Sequence, residues 1–119
     1  MLLFFWLLSP VLAQGLSVEK IVVAQAVDQL TPIAVKATFP ADVGKVYCFS
    51  KISGATSETT ITHVWYWKDQ EMARVELPVR AASWRTYSSK NILDHWRGPW
   101  RVEIFHGGTY LSGVDFTVE

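Results

Sequence analysis

The chain has 119 residues, 50% of them hydrophobic and 18% charged, with 11 acidic and 11 basic side chains. That length sets one domain. Balanced charge without a basic run leaves no electrostatic footprint for nucleic acid or an anionic membrane surface, and no recognition motif for DNA or RNA is present. Six tryptophans are far more than a chain of this size ordinarily carries, so the aromatic residues need an explanation.

The first residues, Met1 to Ala13, form a hydrophobic segment with the layout of a secretory signal. Leu2 to Leu8 is an unbroken apolar run, Ser9-Pro10 interrupts it, and Val11-Leu12-Ala13 resembles a signal-peptidase site ahead of Gln14. The run is shorter than the roughly 20 residues that span a bilayer. A basic residue before the apolar run, usual in such leaders, is missing. The expectation is a leader over 1–13 followed by one domain over 14–119, periplasmic or secreted, with membrane tethering only through the N-terminal segment. The lone Cys48 rules out an intrachain disulfide. Within Val46-Tyr47-Cys48-Phe49 it is expected to be buried, since a free thiol packs as a small hydrophobe.

In chain order, Val18 to Val27 contains the strand formers Ile21, Val22 and Val23. Leu30-Thr31-Pro32 reads as a turn. Ile33, Val35, Ala37 and Phe39 fall on one face of a second strand, with Lys36 and Thr38 on the other. Lys45 to Ile52 is a third strand, and Ser53 to Ser57 a polar loop. Thr60 to Lys68 is the fourth, closed by Lys68-Asp69-Gln70-Glu71. In Met72 to Val79 the residues Ala73, Val75, Leu77 and Val79 point one way and Arg74 and Glu76 the other. Ser83 to Ser88 is a sixth strand, and Asn91 to His95 could make a single helical turn. After Gly98-Pro99, Trp100 to His106 places Trp100, Val102 and Ile104 inward. Gly107-Gly108 is the permissive pair a hairpin turn requires, and Tyr110 to Val118 returns with Val114, Phe116 and Val118 on one face.

The densest stretch is Thr62-His63-Val64-Trp65-Tyr66-Trp67. Alternation sends His63, Trp65 and Trp67 to one face and Thr62, Val64 and Tyr66 to the other. About seven to eight short strands with frequent turns and no amphipathic helix predict an all-β, antiparallel, immunoglobulin-like sandwich. His63, Trp65, Trp84 and Trp100 are the expected core, with Trp84 and Trp100 approaching Trp65 from neighbouring strands. His63 is expected to bond a hydroxyl there, Ser88 or Ser89.

Thr62-His63-Val64-Trp65, Trp84-Arg85-Thr86-Tyr87-Ser88-Ser89-Lys90 and Gly98-Pro99-Trp100-Arg101-Val102, with Val46, Tyr47 and Phe49 ahead of them, resemble a bacterial family known as domain of unknown function 2914. The likeness runs from about Val18 to Val118. It implies an exported or membrane-tethered β-sandwich module with no known activity, whose partner acts in trans. The family often carries a polar residue where Val64 stands, which implies that His63 and Trp65 face the core.

Three Trp-Arg pairs occur, Trp84-Arg85, Trp96-Arg97 and Trp100-Arg101. On a strand an inward Trp turns its neighbouring Arg outward, where a guanidinium can fork onto a carboxylate or phosphate. Trp96, in a connection, is the best candidate for an exposed ring. Candidate ligand-binding residues are therefore Trp67, Arg85, Tyr87, Trp96, Arg97 and Arg101. His63, His95 and His106 lack ligand spacing, so no metal is expected. Ser88-Ser89 with histidines supplies the residue types of a nucleophilic centre, but there is no Gly-x-Ser-x-Gly elbow and no phosphate loop, so neither catalysis nor a cofactor is expected. The expected function is a non-catalytic extracytoplasmic module recognising an envelope glycan through aromatics and Arg. The alternative is a protein-binding accessory module of an envelope complex.

Overall fold

Alternation along Thr59–Trp67 turns Ile61, His63 and Trp65 into the protein, and all three are buried. In the computed structural model, which describes residues 15–119, this strand is flanked on both sides within one of two sheets. The leader expected over 1–13 lies outside the described residues. Nine strands are present among those residues: β1 Ser17–Asp28, β2 Thr31–Val35, β3 Thr38–Phe39, β4 Lys45–Ser53, β5 Thr59–Trp67, β6 Gln70–Val79, β7 Ser83–Asn91, β8 Gly98–His106 and β9 Thr109–Val118. The four-stranded sheet has the order β2-β1-β4-β7 and the five-stranded sheet β3-β9-β8-β5-β6. Every pairing is antiparallel except β3 with β9. This is the immunoglobulin-like sandwich that the strand pattern predicts.

The inner faces supply two apolar clusters. One joins Val23, Val46 and Cys48 of the four-stranded sheet to Trp65, Trp100, Val102, Phe116 and Val118 of the other. Trp100 stacks on Phe116 at 5.7 Å, and Trp65 and Phe39 meet the same ring edge-on at 6.1 and 5.8 Å. Such pairs add about 0.5–1.5 kcal/mol each beyond area burial. The second cluster holds Ile52, Ile61, Val79 and Ile104, with Trp84 partly buried against it. Trp84 therefore does not approach Trp65. Its register partner is Ile52, toward the end of β4, so it belongs to the other cluster. Val64, on the outer face of β5, is also fully buried, because Arg74 and Glu103 flank it in register.

The stretch expected as one strand from Ile33 to Phe39 is two. Ala34 takes a left-handed φ of 58°, and the chain leaves the four-stranded sheet after Val35 to join the edge of the other at Thr38. There Thr117 N–H donates to Ala37 O and Glu119 N–H to Phe39 O, both at 2.9 Å. Phe39 is buried, whereas Ile33 and Val35 are 46% and 52% exposed, so they do not share its face. The turn before them is Gln29-Leu30, with φ 51° and 56°, and Thr31-Pro32 already belongs to β2. Positive φ at both central residues is the hairpin geometry that matches strand twist. Lys68-Asp69 turns β5 into β6 in the same way. Between β7 and β8 there is no helix: Trp96 N–H donates to Leu93 O at 3.0 Å in a single turn.

Candidate functional site

The side chains that alternation turns outward on the four-stranded sheet form rows across the strands. Register pairs Lys20 with Lys51 and Lys51 with Arg85, so three cations stand side by side on β1, β4 and β7. The next row is Val22, Phe49 and Tyr87, and the one after it Ala24, Tyr47 and Ser89. Tyr87 is 41% exposed and leans on Tyr47 with centroids 6.0 Å apart. Glu19 reaches Lys51 at 3.4 Å. A hydrogen bond from Ser53, then Lys51, holds the Glu19 carboxyl below its usual range.

A hairpin roofs part of this face. Leu30 lies ten residues along the chain from Lys20, so straight strands would separate them by about 30 Å. Yet Arg85 Nη1 donates to Leu30 O at 3.4 Å, and Leu30 and Pro32 line a depression of about 300 Å³ together with Lys20, Phe49, Lys51 and Arg85. The β1–β2 hairpin therefore bends back over the outer face. The bend accounts for Phe49, which points outward yet is buried. An adjoining hollow of about 390 Å³ shares Leu30, Lys51 and Arg85 and reaches Gln29 and Trp84. Beyond the Gln29-Leu30 turn, Ala34 within β2 also takes a left-handed φ. Such conformations persist only where surrounding structure imposes them.

The six candidate ligand residues divide among three places. Arg85 and Tyr87 lie on this face. Trp67, Trp96 and Arg97 lie together at one end of the sandwich, where the two rings are only half-buried. They are tilted by 40° at 6.2 Å, and each also contacts Trp100. Trp67 Nε1 donates to Arg97 O at 2.8 Å, Trp100 Nε1 donates to Trp96 O at 2.9 Å, and Lys68 and Lys90 sit over the Trp67 and Trp96 rings. These rings pack on one another and on ammonium groups, and form no flat platform. Arg101 is on the outer face of the five-stranded sheet. It stacks on Tyr66 at 4.1 Å and closes on Asp69 and Glu103, which occupies its fork. Lys20 and Lys51 are site residues that the motifs did not mark, and Tyr47 stood in a motif without being a ligand candidate. Alternation alone turns them outward, but only register aligns them.

The residue types of a nucleophilic centre do meet, but in the core. His63 Nδ1 lies 2.7 Å from Ser88 Oγ and Nε2 lies 3.1 Å from Ser50 Oγ, and Trp65 Nε1 donates to Ser88 Oγ at 3.1 Å. The network ties β5 to β4 and β7 across the two sheets. His63 is fully buried, and that burial pulls its pKa down to about 4. A neutral, enclosed imidazole with both nitrogens hydrogen-bonded holds the two sheets together. Burial pushes the Cys48 thiol well above its ordinary range. Among the described residues no three His, Cys, Asp or Glu side chains converge on a metal position.

A family model described as a protein of unknown function, DUF2914, matches residues 58–118, and the chain belongs to that family. The match spans β5 to β9 and so includes Arg85 and Tyr87, while Lys20, Tyr47 and Lys51 precede it. No curated protein matches the sequence. Among solved structures, the fold resembles an immunoglobulin-like protein from Pseudomonas aeruginosa, at 16% identity and a TM-score of 0.58 over 89% of this chain and 98% of that one. It also resembles part of the alkylpurine DNA glycosylase AlkC from Pseudomonas fluorescens bound to DNA containing an abasic site analogue, at 12% identity and a TM-score of 0.57 over 87% of this chain and 30% of that one. At these identities the likeness is one of fold.

Proposed function

We propose that the protein is a non-catalytic module of the cell envelope that holds a glycan on the outer face of its four-stranded sheet. The observation that carries this reading is the exposed Tyr87 with its partner Tyr47, set beside Lys51 and Arg85 and next to the hairpin-roofed depression. Aromatic bodies with polar tips take up the apolar faces of a sugar, and neighbouring cationic donors orient its oxygens. Export is supported by the Leu2 to Leu8 run and by Val11-Leu12-Ala13. The absence of catalysis is supported by the enclosure of His63 and Ser88.

The test is co-sedimentation with peptidoglycan and affinity electrophoresis in gels carrying envelope polysaccharides. Tyr87→Ala is expected to weaken retention about tenfold, the equivalent of losing one aromatic contact. Undiminished retention of Tyr87→Ala, or no retention of the wild type on any polysaccharide, overturns the proposal. A second reading, protein docking, is favoured by Leu30, Ile33 and Val35, exposed together on the hairpin. It predicts that Ile33→Ser with Val35→Ser abolishes recovery of an envelope protein while polysaccharide retention persists.

A further inference from the structure

We propose that Lys20, Lys51 and Arg85 form an oxyanion subsite, so that the ligand of this face is an acidic glycan bearing carboxylates or phosphodiesters. The inference rests on the glycan reading above and adds the charge of the ligand. Three cations directly opposite one another across adjacent strands repel, an arrangement that weakens a sheet. Three of the other four arginines settle their charge on a carboxylate, and the fourth, Arg97, donates to the Asp94 carbonyl. Arg74 closes on Glu71, Arg80 on Glu58, and Arg101 on Asp69 and Glu103. In the row, Glu19 answers Lys51 alone, and among the described residues neither Lys20 nor Arg85 has a carboxylate partner. The row therefore keeps two unanswered positive charges on one side of a depression.

Their surroundings suit an anion. The Leu30 carbonyl takes one N–H of Arg85 and holds the guanidinium at the rim of the depression, leaving most of its five donors free. The depression also takes in the buried Phe49 together with Leu30 and Pro32, so apolar side chains lie beside the charged ones. Neighbouring strands are about 4.8 Å apart, a spacing close to the length of one sugar unit, so successive acidic units can meet successive cations. Tyr87, one row along, lies where the ring of the same polymer would rest. A guanidinium accepts carboxylate and phosphate alike through paired N–H groups, so the shared chemistry is the oxyanion.

The full chain is to be titrated, by calorimetry and by NMR of the Arg Nε–H signals, with polygalacturonate, a phosphodiester-linked teichoic polymer, neutral dextran and duplex DNA. Lys20→Gln with Arg85→Gln is compared with Arg74→Gln as a control on a paired arginine. The wild type is expected to prefer one of the two acidic polymers over dextran by at least about tenfold. Which polymer it prefers identifies the oxyanion. The double variant is expected to lose about a hundredfold, since each hydrogen-bonded charge carries about a factor of ten, and Arg74→Gln should bind as the wild type. Relief of repulsion should leave the melting temperature of the double variant equal to or above that of the wild type, which separates lost binding from lost folding. Equal binding of dextran and the acidic polymers keeps the glycan reading and overturns this one, as does an undiminished double variant. Saturable shifts of Arg85 Nε–H by inorganic phosphate, with no polymer bound, keep the subsite and overturn the glycan reading. Preference for duplex DNA overturns both.

Discussion

The buried His63 makes the stability of the protein depend on pH with a sign that can be worked out. Its pKa is about 4 when folded and returns to about 6.5 in the unfolded chain. The unfolded state therefore binds the proton first as pH falls, so stability is complete above pH 6.5 and is lost progressively down to about pH 4. At pH 5 the linkage amounts to about 2 kcal/mol, rising toward about 3 kcal/mol below pH 4. A single domain has only about 5–15 kcal/mol in total, so the loss is large. Urea unfolding followed by tryptophan fluorescence at intervals from pH 7.5 to 4.5 measures it. The expected displacement of the midpoint to lower urea is about 1–2 M at pH 5. His63→Leu removes the titrating ring, keeps similar volume and leaves the Ser88–Trp65 bond in place, so subtraction of its profile isolates the histidine from carboxylates elsewhere. Parallel profiles for the wild type and His63→Leu across this window would refute the argument.

Two further outcomes follow from the same interior. Ser88→Ala leaves both the Trp65 N–H and one imidazole nitrogen without a partner, at about 1–3 kcal/mol each. It should lower the melting temperature by about 10–20 °C, and calorimetry showing less than a few degrees would contradict the network. Cys48 is buried among the inner side chains with its thiol held protonated, so a thiol reagent should react with it only at the rate of unfolding. Immediate labelling of native protein would show the cysteine to be accessible.

The residues of the face and of the core differ in how they were encoded. His63, Trp65 and Trp100 were legible as core because inward alternation is local: each strand's own period of two decides which side chains share a face. The sequence points to Ser88 or Ser89 as a hydroxyl partner of His63, and the opposite faces of adjacent β7 residues give it to Ser88, whereas Ser50, the second partner, comes from β4 and carries no local signal. The Trp67 and Trp96 rings were anticipated at a surface, but their mutual packing and the ammonium caps depend on Trp100, Lys68 and Lys90 arriving from other segments. Arg101 was expected on an outer face and stands there. What the dipeptide Trp100-Arg101 does not contain is the Asp69 that closes on it from the β5–β6 turn.

The sequence by itself determined the class of fold and most strand faces, because hydrophobic alternation and the turn pair Gly107-Gly108 act within a few residues. Only the tertiary structure decided that Ile33 and Phe39 belong to different sheets, that Trp84 joins the Ile52 cluster, and that Leu30 returns over Arg85. It also decided the row Lys20, Lys51 and Arg85. Alternation tells which way each of these side chains points, but not how far along the neighbouring strand it stands. That distance is register, set by long-range pairing and by irregularities such as the bulge between Val18 and Lys20, and three scattered cations become one candidate site only through it.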